Sequence, residues 1–350
     1  MKILPGNEKL NYCGRIDFAN QDKPIFVYPC SYVEIKFEGT YLYAYVQNHN
    51  LYWDNYLGII VDGKQTKVLL ENDENKIQKI ILAEDLEYGI HQVTLFKRQD
   101  ACHIFAFLGF EASDDSILYQ LDVDTSRRIE FYGDSISAGE VSEAVEYAGA
   151  ADPDFHNGEF SNSYFSYAWI TARKLGARIH DIAQGGIALL DNTGWFNEPD
   201  YIGMESVYDK IQYNEALSNI SSWDFSRFSP QVVVVAIGQN DNHPKDYMAE
   251  DYDSAMSKNW RNHYQKFIKN IRSKYPKALI ILKTTVMFHH ENWDRAIKDV
   301  CEELNDSKIM YFRYSKNGAV TPGHIRIPEA EQMATELVEY INSFGEEIWW

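Results

Sequence analysis

A chain of 350 residues, 45% of them apolar, exceeds one average domain and has enough core-forming side chains for two domains of unequal size. Lys and Arg number 33 against 52 Asp and Glu, a formal charge of −19, which argues against nucleic acid and anionic membrane as partners and favours neutral or cationic small molecules. Cys13, Cys30, Cys102 and Cys301 form no C-x-x-C pair, so neither a disulfide framework nor a zinc ribbon is indicated. The stretch Met1 to Asn7 has no apolar h-region and breaks at Pro5-Gly6, so no signal peptide or membrane helix is expected, and the expected location is the cytoplasm.

From Pro24 to about Ala112 apolar and polar residues alternate in short runs, among them Val33 to Phe37, Leu42 to Val46, Gly58 to Val61, Gln92 to Phe96 and His103 to Phe107. Period two is the pattern of half-buried strands, and the turn residues between the runs (Glu38-Gly39, Asp62-Gly63, Asn72 to Asn75) have the spacing of an antiparallel sandwich. An all-β domain over residues 1–126 is therefore expected, ending near the polar breaks Ser113 to Ser116 and Asp122 to Ser126.

Over residues 127–350 the period changes. Helical patterns at Ser163 to Leu175, Tyr252 to Tyr275, Asn292 to Leu304 and Pro328 to Phe344 alternate with short apolar runs at Arg178 to Ile182, Val232 to Ile237, Leu279 to Leu282 and Ile309 to Phe312. This is β-α-β grammar. Val232 to Ile237 is apolar on both faces, as a central parallel strand covered on each side must be, so the expected fold is a three-layer α/β/α sandwich with all strand carboxyl ends along one edge.

Four segments at that edge carry chemistry. Arg128 to Tyr132 reads as a strand leading into Gly133-Asp134-Ser135-Ile136-Ser137-Ala138-Gly139, which puts a serine on a tight turn of small residues. Gln184-Gly185-Gly186 leaves backbone N–H groups free of side-chain cover, and Gly238-Gln239-Asn240-Asp241 adds an amide able to donate into the same crevice. Thr321-Pro322-Gly323-His324 brings an imidazole just before the last helix. Each has a bland explanation as a cap or a turn. Together, a serine nucleophile, oxyanion donors and a histidine base are the equipment of acyl transfer.

Gly133-Asp134-Ser135, Gly186, Gly238 to Asp241 and His324 resemble the four blocks of the SGNH (GDSL-type) hydrolase superfamily. With the β-rich segment in front, the chain is similar to carbohydrate esterase family 2, which pairs a jelly roll with an SGNH domain and deacetylates xylan and related sugars. The resemblance implies Ser135 as nucleophile, with Ser135 N–H, Gly186 N–H and the Asn240 side chain as oxyanion donors, His324 as base and Asp134 as support of the nucleophile turn. It implies no cofactor and no metal, a small acetylated saccharide as substrate, and no nucleic acid or membrane partner.

Two of the four blocks depart from the family pattern. Pro322 and Thr321 stand where an aspartate often precedes the histidine, so a Ser-His dyad with a backbone carbonyl orienting the imidazole is expected, and Gly185 stands where a serine is often found. Other SGNH activities (lysophospholipase, thioesterase, rhamnogalacturonan-type deacetylase) and a non-catalytic carbohydrate-binding protein are the alternatives. His289, His290, Glu291 and Asp294 lack the spacing of a tetrahedral metal site, and His156, His180, His243 and His263 read as structural or surface groups. Trp195, Trp223, Trp260 and Trp293 are candidates for sugar stacking, with packing as the commoner use. Trp349-Trp350 at the chain end calls for docking, on a neighbouring domain or on a second copy in a homo-oligomer.

Overall fold

The alternating runs of the first third pair into two antiparallel six-stranded sheets, seen in a computed structural model that describes residues 1–217, 219–319 and 321–350. One sheet runs Ile16–Asp17, Ile25–Phe26, His103–Ala112, Leu42–Asn50, Ile77–Ala83, with Lys2–Ile3 added against His103–Ala112. The other runs Ile117–Tyr119, Tyr32–Gly39, Gly89–Lys97, Tyr56–Val61, Lys64–Leu69, with Asn11–Cys13 added against Tyr32–Gly39. On Tyr32–Gly39 the apolar Val33, Ile35 and Phe37 are buried and the charged residues between them are not. They meet Leu42, Ala44, Val46, Phe105 and Phe107 of the facing sheet in one core. A slip of one residue would exchange Glu34 and Lys36 for that apolar set, at roughly 1.5–3 kcal/mol per large side chain.

The second part is a parallel sheet in the order Arg178–Ala183, Arg128–Gly133, Val232–Val235, Leu279–Leu282, Ile309–Tyr311. Val232 and Val234 pack toward helices Tyr167–Lys174 and Ile327–Asn342, whereas Val233 and Val235 pack toward helices Ala255–Lys274 and Glu291–Leu304. That is the three-layer arrangement. Because the first strand of this sheet lies second in it, the chain leaves it toward opposite sides, to Arg178–Ala183 and then to Val232–Val235. In doubly wound sheets such a switch point opens a crevice beyond the strand carboxyl ends, and Ser135 follows the strand that borders it.

The two parts meet through buried polar contacts. Arg15, wholly buried, donates to the carbonyls of Tyr208 (2.6 Å) and Lys210 (3.1 Å) and stands 3.5 Å from the Glu130 carboxylate. Its partner charge and four surrounding aromatic rings compensate the desolvation that a lone buried guanidinium would suffer. The chain end packs on its own parallel-sheet domain: the Arg127 guanidinium lies 5.2 Å from the Trp349 ring, and Gln231 Nε2 donates to the Trp350 carbonyl at 2.9 Å. Arg127 and Gln231 precede their strands, so this contact is at the edge opposite Ser135. All four cysteines are free thiols.

Candidate active site

Strand Arg128–Gly133 ends where a Cβ on Gly133 would fall 2.0 Å from Ser137 Oγ, so only glycine lets the turn close. Asp134 then caps the single helical turn Ser135–Ala138, its Oδ1 accepting from Ile136 N–H at 3.0 Å. Its Oδ2 accepts from Gln239 Nε2 at 2.6 Å and from Asn240 Nδ2 at 3.3 Å, which ties the serine turn to the turn after Val232–Val235. Burial pushes the Asp134 carboxyl up to about 6 despite the Ile136 N–H and the Gln239 amide. Ser135 is 6% exposed, and among the described residues neither its hydroxyl nor its N–H has a hydrogen-bond partner in the protein.

The next turn holds Gly185 and Gly186, the latter in the left-handed region at φ 72°. Among the described residues the Gly186 N–H, like that of Ser135, has no acceptor. Two free N–H groups at one sheet edge are the donors an oxyanion needs. A Cβ on Gly185 would lie 2.7 Å from Asp100 Oδ2 and 2.9 Å from Glu140 Oε2, which explains the glycine where a serine is often found. Asn240 sits on the turn Gln239–Asn242, entered through Gly238 at φ 134°. Its amide donates to the Ile187 carbonyl at 3.0 Å besides the long contact to Asp134, so reaching a substrate oxygen requires release of Asp134. Asp241, behind it, accepts from the N–H groups of Leu189 (2.7 Å) and Leu190 (3.1 Å) and holds the segment that follows Gly186.

The expected dyad is corrected by a carboxylate from elsewhere in the chain. His324 Nδ1 lies 2.6 Å from Asp152 Oδ2, and His324 N–H donates to Asp152 Oδ1 at 2.9 Å. Arg326, buried, donates to the same Oδ1 at 2.8 Å. Burial alone would raise the Asp152 carboxyl, but His324 and then Arg326 hold it well below the usual carboxylate range, so it is ionised. Thr321 and Pro322 orient nothing on the ring: the Thr321 hydroxyl donates to the Ala150 carbonyl at 3.1 Å. Gly323 is what admits the acid, because a Cβ there would sit 2.7 Å from Asp152 Oδ1 and 2.8 Å from Asp152 N.

The other ring nitrogen, Nε2, is 3.8 Å from the Glu140 carboxylate, one residue past the serine turn. Burial opposes a charged imidazole, yet Glu140, then Asp152 and Asp134, outweigh it and push His324 up to about 9. Burial, with the charges of Asp100, Asp152 and Asp134, likewise pushes Glu140 up to about 7 against the pull of His324. An ionised Glu140 stabilises the imidazolium, so its removal lowers the pH at which Nε2 becomes free to accept a proton. Glu140→Gln is therefore expected to move the acidic limb of the kcat/KM profile downward by ~1 pH unit. An unmoved or raised midpoint would show that the two groups do not couple.

The remaining candidates separate cleanly. Trp195 is 57% exposed beside the Gly186 turn, its N–H donating to the Gly186 carbonyl at 2.8 Å, and its ring stacks on His243 with centroids 3.4 Å apart. Trp260 and Trp293 are wholly buried against one another, and Trp223 is buried against His180. These three pack the core. His289 Nε2 lies 3.1 Å from Asp294 while its Nδ1 faces the Met287 carbonyl at 2.7 Å, and His290 caps the helix Glu291–Leu304. His263 pairs with Glu205 at 2.6 Å, and His156 lies edge-on to Trp53.

A family model described as Carbohydrate esterase 2 N-terminal matches residues 12–120, and one described as GDSL-like Lipase/Acylhydrolase matches residues 129–346. The chain belongs to the GDSL-like lipase/acylhydrolase family. Cellulase/esterase CelE of Acetivibrio thermocellus is 30% identical over 301 residues, which are 86% of this chain and 34% of that protein. The chain thus spans about a third of the length of CelE. The acetylxylan esterase / glucomannan deacetylase of Cellvibrio japonicus is 22% identical over 96% of this chain and 88% of its own length. Among solved structures, a family two carbohydrate esterase from Clostridium thermocellum in complex with cellohexaose superimposes with a TM-score of 0.79 at 27% identity, covering 97% of this chain and 100% of that one. Another, from Cellvibrio japonicus, has a TM-score of 0.82 at 20% identity and shares the fold over 100% of this chain and 98% of its own.

Proposed function

We propose that this carboxylic ester hydrolase removes acetyl groups from the hydroxyls of saccharides through an acyl-enzyme on Ser135. The observation that carries the reading is the His324–Asp152 hydrogen bond of 2.6 Å at the edge where the N–H groups of Ser135 and Gly186 stand without acceptors. Ser135 Oγ attacks the ester carbonyl as His324 Nε2 takes its proton, and Asp152 holds the tautomer and the imidazolium that forms. The Ser135 and Gly186 N–H groups, with the Asn240 amide turning from Asp134, meet the developing oxyanion. The imidazolium gives its proton to the departing sugar oxygen; water then attacks the acetyl-serine, with the same nitrogen as base, and releases acetate. A non-catalytic binding module is the weaker alternative, because it needs no acid on His324 and Asp152 stands 2.6 Å from that ring.

The acyl preference follows from the surroundings. The turns that carry Ser135, Gly186 and Asn240 are built of small or polar residues (Ser137, Ala138, Gly139, Gln184, Gly185, Gln239), which suit a short acyl group better than an alkyl tail. The exposed Trp195 face is suited to a sugar ring, in keeping with the cellohexaose bound by the Clostridium thermocellum structure and the deacetylase activity named for the Cellvibrio japonicus relative. Each methylene is worth only about 1–3 kcal/mol in discrimination, so the preference is expected to be steep without being absolute. In a series of 4-nitrophenyl esters acetyl is expected to outpace butyryl, with octanoyl poor, and acetate is expected to be released from acetylated xylo-oligosaccharides. Faster cleavage of octanoyl than acetyl, or no acetate from any acetylated sugar, would overturn the carbohydrate reading.

A further inference from the structure

We propose that Asp100, a residue of the β-sandwich, is a positioning residue for the oxyanion turn, locking the Gly185–Gly186 peptide so that the Gly186 N–H faces Ser135. This rests on the reading of Gly186 as an oxyanion donor. Asp100 lies on the connection between strands Gly89–Lys97 and His103–Ala112 and is 6% exposed. Its Oδ2 accepts from three donors: Gly185 N–H at 2.9 Å, Gln184 Nε2 at 2.6 Å and the Tyr52 hydroxyl at 2.9 Å. Its Oδ1 accepts from Cys102 N–H at 3.1 Å and lies 2.8 Å from His103 Nδ1. A carboxylate with that many donors is a rigid fixture.

The hold extends one bond further. The Gln184 amide that donates to Asp100 also donates to the Gly185 carbonyl at 3.1 Å, and its Oε1 accepts from the Tyr213 hydroxyl at 2.7 Å. In a trans peptide the N–H points opposite the C=O, so pinning the Gly185 carbonyl on one side aims the Gly186 N–H to the other. Without such a pin, two consecutive glycines rotate that peptide at little cost and would present a carbonyl where the oxyanion forms. The sandwich connection is itself fastened, with Lys97 Nζ donating to the carbonyls of Gln99 and Asp100, and Ser163 N–H donating to the Arg98 carbonyl at 2.8 Å. A negative charge near an oxyanion is unfavourable in isolation. Here His103 and Lys97 stand against Asp100, and burial, which would raise its carboxyl, is outweighed by His103 and then Lys97 and the Gly185 N–H, which keep it ionised.

The test is Asp100→Asn, with active sites counted by irreversible labelling of Ser135 with an organophosphonate. A side-chain amide cannot accept from every donor that faces Asp100, so the peptide loses part of its lock, and kcat per labelled site for 4-nitrophenyl acetate is expected to fall about 10–100-fold with KM little changed. Amide hydrogen exchange at Gly185 is expected to speed up in the same variant. Gln184→Met cuts the same link from within the parallel-sheet domain and gives the same kcat loss; if Asp100→Asn does not fold, it is the deciding variant. Where both fold, the double variant should be no worse than the weaker single one, because one lock is broken in either case. Fewer labelled sites with kcat per site unchanged would reduce Asp100 to a packing residue and overturn the proposal. The esterase reading fails by a different result, persistence of hydrolysis in Ser135→Ala.

Discussion

Ser135→Ala is expected to lower ester hydrolysis by about 10⁶ while the protein stays folded. That loss corresponds to ~8 kcal/mol of transition-state stabilisation, far more than a hydroxyl contributes to folding. The asymmetry comes from the local structure: the hydroxyl has no hydrogen-bond partner among the described residues, whereas the turn is held by the Asp134 cap and by the close approach of Gly133 to Ser137. Steady-state kinetics on the purified variant, beside a thermal melt within a degree or two of the wild type, checks both halves. More than a trace of activity in a pure sample would remove Ser135 from the nucleophile's role.

Asp152→Asn is expected to cost about 10⁴ in kcat. The Nδ1–H of His324 now donates to a carboxylate at 2.6 Å; an amide in its place can present its NH₂ to the ring, favour the wrong tautomer and leave the imidazolium without its counter-charge. With the amide oxygen left in the place of Oδ1, Arg326 keeps its acceptors there and on the carbonyls of Ala144 and His324 and loses only the counter-charge, so the stability loss should be ~1–3 kcal/mol, against ~5.5 kcal/mol in the barrier. The two effects are separable by measuring kcat well below the melting temperature. Activity within tenfold of the wild type would return the site to a dyad.

What was legible in the sequence was what has a period or a strand end. The helix pattern at Asn292 to Leu304 and the apolar run Leu279 to Leu282 coincide with elements Glu291–Leu304 and Leu279–Leu282, because burial on one face or on both leaves its mark on spacing. The strands Lys64–Leu69 and Ile117–Tyr119 were not legible, since they lie at the edge of their sheet, largely exposed, and need no alternation. The same logic divides the site. Ser135, Gly186 and Asn240 follow consecutive strands of one sheet and His324 precedes its last helix, so grammar places them, whereas Asp152 sits in an irregular segment between the serine turn and helix Tyr167–Lys174. One signal pointed to it: Gly323 directly before His324 marks a close backbone approach, and Asp152 is what approaches. Asp100 gave no such sign, because its contact is between domains and 85 residues separate it from Gly185.

The most direct test of the central claim is to trap the covalent intermediate. The enzyme is mixed with 4-nitrophenyl acetate, quenched in acid before one turnover is complete and digested, and the acetylated peptide is sequenced by mass spectrometry. The expected result is one acetyl group on Ser135, absent from Ser135→Ala and formed far more slowly in Asp152→Asn. An acetyl group on a different residue that turns over at the rate of hydrolysis, or acetyl transfer to Ser135 that does not slow when Asp152 is changed, would contradict it.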